Sequence, residues 1–198
     1  MTSSAKPYAP ACDRNRDAIL EVLKGCFSDR KQVLEPGSGT GQHAVFFAAA
    51  MPWLTWQTAD LAENLTGIRM WLEEAGLPNL PPPIELAAGG PWPRGSFDAV
   101  FSANTLHIMS WPDVQKLFTG LDRVMANDAV LAIYGPFNYG GKFTSESNAN
   151  FDVWLKLRSA ASGIRDFEAV NTLAESIGLK LVVDHAMPAN NRTLIWKR

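Results

Sequence analysis

The run Val33-Leu34-Glu35-Pro36-Gly37-Ser38-Gly39-Thr40-Gly41 and the carboxylate of Asp60 are the residues of this chain best suited to chemistry. A short apolar strand ends in an acid, turns on three glycines and opens a helix. Glycines at alternate positions let the backbone approach a ligand where a Cβ would clash. The first turn of the following helix presents N–H groups with no intrahelical partner. Asp60 stands 19 residues after Gly41, at the end of a second apolar stretch. A carboxylate there suits a bidentate hydrogen bond to ribose hydroxyls. The pattern predicts a nucleoside ligand held without a strong phosphate site.

Glycine spacing separates two nucleotide cofactors. The dinucleotide fingerprint G-x-G-x-x-G requires glycine at position 42, where this chain has Gln42. An acid in the turn would also repel a pyrophosphate, which disfavours NAD. The form found, E-x-G-x-G-x-G, resembles motif I of the class I S-adenosylmethionine (SAM) methyltransferases. The resemblance implies that Glu35 sits near the ammonium of the methionyl group. It also implies cofactor contacts at Gly37, Gly39, Gly41, Asp60, Leu61, Ala87 and Asn104.

The elements that must position these residues alternate along the chain. Strand signals cover Gln32 to Glu35, Thr55 to Asp60, Ile84 to Ala87, Phe97 to Ser102, Ala129 to Tyr134, Lys180 to His185 and Thr193 to Trp196. Helical apolar faces lie between them, the first over Asp13 to Phe27. The last two strands are joined by so short a turn that only antiparallel pairing is open to them. The expectation is an α/β fold: a Rossmann-like, seven-stranded, mostly parallel sheet with helices on both faces and a C-terminal antiparallel hairpin. Residues 1–198 read as one domain.

Further stretches resemble, more narrowly, a family of small methyltransferase-like proteins of unassigned function. These are Asn15-Arg16, Ala103 to Ile108, Tyr134 to Phe137, Ser145 to Asn148, Gly163 to Asp166 and Met187 to Thr193. One departure is plain. The class often ends its third strand with an acid that reads the adenine amino group, whereas this chain has Leu86-Ala87-Ala88-Gly89-Gly90. Backbone groups there, with Trp92 as an apolar wall, are the substitute expected.

In an open α/β sheet ligands bind beyond the carboxyl ends of the strands, at the switch point. Asn104 and His107 follow the fourth strand and Tyr134 follows the fifth, so all three are expected at the rim of one crevice. Asn104 is either a ligand contact or a turn cap. His107 is either the base that takes the acceptor's proton or a structural partner of its own loop. Tyr134 binds through its hydroxyl or closes the core. Glu146, with Ser145, Asn148, Asp152 and Arg165, reads as an acceptor pocket or as the cap of a helix. Arg165 pairs with Asp152 or binds a substrate carboxylate. Asn15 and Arg16, on the first helix, are expected to close over the methionyl end, Arg16 against its carboxylate.

Composition narrows the partners. A formal charge of −2, with basic residues scattered, gives no general attraction to nucleic acid or anionic membrane. No apolar run reaches the ~18 residues of a membrane span, and residues 1–10 hold no apolar leader. Cys12 and Cys26 form no metal or redox motif. The expectation is a cytoplasmic, SAM-dependent enzyme acting on a small molecule, without metal. Two alternatives keep the same cradle: an enzyme that uses SAM for cyclisation or another group transfer, and a SAM-binding protein without catalysis.

Overall fold

A computed structural model describes residues 6–198. Residues 1–5, part of the segment read as lacking a leader, lie outside the described residues. The elements in chain order are α1 (Pro10–Cys26), β1 (Gln32–Pro36), α2 (Gln42–Ala50), β2 (Thr55–Asp60), α3 (Ala62–Ala75), β3 (Ile84–Glu85) and β4 (Phe97–Ala103). They continue with α4 (Trp111–Val124), β5 (Met125–Gly135), β6 (Phe137–Asn138), α5 (Glu146–Arg158), β7 (Arg165–Asp166), α6 (Phe167–Ser176), β8 (Lys180–Met187) and β9 (Asn191–Lys197).

Seven strands form one sheet in the order β3-β2-β1-β4-β5-β9-β8. The chain moves outward from β1 to β3 on one side, then crosses back to place β4 on the other. That reversal puts the carboxyl ends of β1 and β4 side by side and opens a crevice between them. β9 runs antiparallel to both β5 and β8, as the short terminal connection requires. Ala189 and Asn190 turn it in left-handed conformations, while Asn191 already belongs to β9.

Side chains alternate across the strands, so two cores form on opposite faces. Leu34, Val100 and Leu131 pack with α4 and α6 through Phe118, Leu121 and Val170. Their chain neighbours Val33, Phe101 and Ala132 pack on the other face with α1 and α2 through Ile19, Leu23 and Phe47. The fold is the α/β, mostly parallel sheet with a terminal hairpin that the sequence predicts.

Boundaries shift for local reasons. α1 starts at Pro10, three residues before the expected Asp13, because proline has no N–H to leave unpaired at a first helical position. The third strand ends at Glu85 instead of Ala87. Leu86 still donates to Asp60 O at 2.8 Å, and the chain then leaves the sheet. The parallel pair β6–β7 has too few residues to show a period and is absent from the sequence expectation. Among the described residues no helix is long and apolar enough to cross a membrane.

Candidate functional site

The glycine turn is built by contacts that need the absence of side chains. Gly37 has φ +75°, and a Cβ there would lie 2.5 Å from Thr105 Oγ1. The bare backbone of the turn after β1 therefore packs against the Thr105 side chain of the turn after β4. Gly39 has φ +59°, and a Cβ on it would meet nothing within 4 Å, because it faces open space. Gly37→Ala is expected to cost about 1–3 kcal/mol in a urea melt, from left-handed strain and displacement of Thr105. An unchanged midpoint would mean the two turns are free to separate.

Asp60 holds this turn in place. Its Oδ2 accepts from Gly39 N at 2.6 Å, and its Oδ1 accepts from Leu61 N at 2.7 Å and Asn64 Nδ2 at 2.8 Å. A carboxylate has roughly four acceptor sites, so capacity remains for a ligand hydroxyl. Glu35 lies below, 2% exposed, and accepts from Trp56 Nε1 at 3.0 Å. Burial pushes its carboxyl up to about 8, against the hydrogen bonds from Trp56 and Ser38, with the Asp60 charge adding to the rise.

The crevice is a cleft of about 1040 Å³ lined by the predicted Gly37, Gly39, Asp60, Leu61, Ala87 and Asn104, while the predicted Glu35 and Gly41 are not among its lining residues, Gly41 facing Ile68 of α3 instead. Asn104 takes a left-handed conformation (φ +56°) that turns the chain out of β4, while its N–H donates to Tyr134 O at 2.8 Å. Thr105 and Ile108, within the Ala103–Ile108 stretch already singled out, also line the cleft, as do Cys12 and Met109, which the sequence reading did not single out for the site. Thr105 and Ile108 stand beside the predicted Asn104, so proximity in sequence was the available signal. Cys12 comes in from a helix distant in the chain, and no sequence signal marks it.

The first helix meets the cleft through Ala11 and Cys12 rather than through the predicted pair. Asn15 is buried with Oδ1 2.7 Å from His43 Nε2, and His43 Nδ1 lies 4.0 Å from Cys12 Sγ. Burial first, and then Arg16, lowers His43 to about 4. Burial raises the Cys12 thiol to about 11. Arg16 donates to Asp13 Oδ1 at 2.7 Å and stacks on Phe46 instead of lining the cleft.

The acceptor-side candidates stand behind the cleft wall. His107 is 6% exposed, packed edge-on against Phe151, and burial followed by Arg165 lowers it to about 4. Its Nδ1 and Asn104 Oδ1 both approach Gly135, each 3.8 Å from where a Cβ would be. Tyr134 ends β5 inside the α1–α2 core, 3% exposed. Glu146 is exposed on the first turn of α5, where Ser145 accepts from Asn148 N at 3.1 Å as the cap. Asp152 is engaged by Ile164 N at 2.8 Å and Lys156 Nζ at 2.6 Å, so it does not pair with Arg165. Arg165 instead donates to the carbonyls of Leu106, Met109 and Ala161.

At the third strand, Leu86, Ala87, Ala88 and Gly89 line the cleft and no acid is among them. Trp92 is displaced from the expected wall. Its indole covers Gly120 of α4, where a Cβ would fall 1.8 Å from the ring. Among the described residues no cluster of His, Cys, Asp and Glu could hold a metal ion.

Solved structures with the same fold are numerous. An O-methyltransferase family protein from Burkholderia thailandensis superposes with a TM-score of 0.82 at 16% identity, over 95% of this chain and 57% of that one. Mitomycin 7-O-methyltransferase gives 0.77 at 19% identity, over 87% and 50%. An O-methyltransferase family 2 protein from Planctomyces limnophilus, in complex with apigenin, gives 0.72 at 14%, over 92% and 61%. The chain thus spans between half and about three-fifths of the length of these structures. At such identity the likeness is one of fold. The family model described as "Protein of unknown function (DUF938)" matches residues 6–198, and the chain belongs to that family.

Proposed function

We propose that this chain is a cytoplasmic SAM-dependent methyltransferase acting on a small molecule. The observation that carries the proposal is the junction of the Gly37–Gly41 turn with Asp60 and the buried Glu35 at the switch point of the sheet. These residues fit the cofactor. Gly39 leaves open space where a side chain would stand, Asp60 retains acceptor capacity for one ribose hydroxyl, and Glu35, buried behind the lining residues Pro36 and Gly37, would supply a carboxylate for an ammonium. Leu86 to Gly89 give adenine an apolar edge with backbone acceptors. The cleft of about 1040 Å³ slightly exceeds the range of about 300–1,000 Å³ for small-molecule sites, which favours room for an acceptor beside the cofactor.

When bound, SAM supplies an electrophilic methyl group on sulfur. The protein's part is to hold an acceptor in line with it, which is catalysis by orientation. Asn104, Thr105 and Ile108 line the cleft beside the turn and are the side chains we assign to the acceptor. Ile108 is 59% exposed, so an apolar face on the acceptor suits this rim. His107 and Tyr134 act from behind it, setting the shape of the turn at Gly135. The relatives whose names mention mitomycin and apigenin are in keeping with a neutral organic acceptor.

Calorimetric titration with S-adenosylhomocysteine is expected to show one site, and NAD none. Incubation with SAM and a panel of hydroxylated and amino aromatic compounds is expected to yield S-adenosylhomocysteine. Methylthioadenosine as the product would replace methyl transfer with attack at the methionyl carbon. Binding without turnover on any compound would leave a SAM-binding protein.

A further inference from the structure

Four consecutive backbone carbonyls after β4 are all taken by one short segment 50 to 60 residues away. Arg165 Nε donates to Leu106 O at 3.1 Å, Gly163 N to His107 O at 2.8 Å, and Ser162 Oγ to Ile108 O at 3.0 Å. Arg165 Nη2 completes the row on Met109 O. The guanidinium is a rigid fork with several donors at fixed angles, so one side chain can bridge carbonyls three residues apart. Its second Nη2 contact, to Ala161 O at 3.0 Å, fastens it to its own segment.

That segment is itself anchored. Ile164 N donates to the buried Asp152 of α5, and Arg165 pairs in register with Phe137 in the β6–β7 ladder. On the other side, the clamped loop is a wall of the cleft: Thr105, Ile108, Met109 and Ser110 all line it. Ser110 then caps α4, accepting from Asp113 N at 3.3 Å, and Asp113, Lys116 and Leu117 continue the lining. A half-buried cation spent wholly on carbonyls, when a carboxylate lies near at Asp152, is an unusual use of arginine. It makes sense if the shape of that loop is what matters.

We infer that Arg165, with Ser162 and Gly163, is a positioning clamp that fixes the 105–110 wall of the cofactor cleft and ties it to the insertion between β5 and α6. The inference rests on the SAM-site reading above. It gives the insertion a defined role: any acceptor or partner that moves residues 159–166 changes cofactor affinity through these four bonds.

The test uses the full chain, S-adenosylhomocysteine as probe, calorimetry, and amide hydrogen exchange. Arg165→Met keeps the apolar stem and removes the fork. It is expected to weaken binding about 10–100-fold, from the loss of several charge-assisted bonds, and to speed exchange at residues 105–110 while β8 and β9 stay protected. Arg165→Lys keeps the charge but reaches fewer carbonyls, so it is expected to recover part of the affinity. Ser162→Ala removes one bond and is expected to weaken binding about 2–10-fold.

Parent affinity in Arg165→Met overturns the clamp. So does exchange that rises uniformly across the sheet, which would make Arg165 a general stabiliser. If Arg165→Met does not fold, parent affinity in Ser162→Ala overturns it instead. A parent protein that does not bind the probe removes the SAM reading. The exchange pattern of 105–110 then decides separately whether the loop is clamped.

Discussion

Asp60→Ala is expected to weaken S-adenosylhomocysteine binding by about 10–100-fold or more, since each hydrogen bond to a charged group contributes about 1.5–3 kcal/mol and 1.4 kcal/mol is tenfold. The effect has two sources. One is the lost contact with the ribose. The other is internal: Gly39 N, Leu61 N and Asn64 Nδ2 all lose their acceptor together, so the turn that forms the cradle loosens before any ligand arrives. Asp60→Asn is expected to recover little. Its amide would place a donor against either Gly39 N–H or the Leu61 and Asn64 donors, whichever way it is turned. Calorimetry with a urea melt of each variant separates the two sources. Unchanged affinity in Asp60→Ala would reject the cofactor site, and tight NAD binding by the parent would reject the cofactor.

Glu35 gives the second large effect, and it is a pH effect. Its carboxyl titrates near 4.5 when free and is raised to about 8 in the folded protein. Below pH 4.5 both states hold the proton and pH makes no difference. Between these values the unfolded chain is ionised while the folded one keeps its proton. The stability of the unliganded protein therefore falls as pH rises, by up to about 1.4 kcal/mol per unit from this group. Above about 8 the contribution is flat. Glu35→Gln is expected to remove this slope in urea melts between pH 5 and 8. A ligand ammonium placed beside Glu35 favours the ionised carboxylate. S-adenosylhomocysteine binding at pH 7 is accordingly expected to release a proton, visible in calorimetry as a dependence on the buffer's ionisation heat. A parent protein with no slope, or the same slope in Glu35→Gln, would show that another group is responsible. Proton release that persists in Glu35→Gln would move the ammonium elsewhere.

The two expected effects concern one assembly, in which stability would be traded for binding. An acid buried at 2% exposure with one indole partner destabilises the empty protein at neutral pH. A ligand cation beside it is expected to offset that cost. A regular core would place an apolar residue at this position, and the strain of keeping a carboxyl there belongs with a ligand site.

Much of this was legible in the sequence because it is local or periodic. The alternation of Val33 and Leu34, or Val100 and Phe101, sets two opposite cores with no tertiary information, since a strand can only send neighbours to opposite faces. The glycines of the turn and the acid at Asp60 meet as their spacing predicts, because a tight turn that bares its backbone needs glycine and its N–H groups need an acceptor. Ser110 and Gly76 mark helix ends through groups within a few residues. What tertiary structure alone decided is where polar side chains far apart in sequence spend their hydrogen bonds. Arg165 has one fixed charge and many potential acceptors, and only packing selects the carbonyls of Leu106 and Met109 over Asp152. His107 and Tyr134 lie at the right strand ends, yet each side chain turns away from the cleft. Strand order tells which loops meet, while rotamer and burial decide which of their side chains face the opening. Cys12 enters the lining from α1 for the same reason: helix docking on α2, through Asn15 and His43, carries it there.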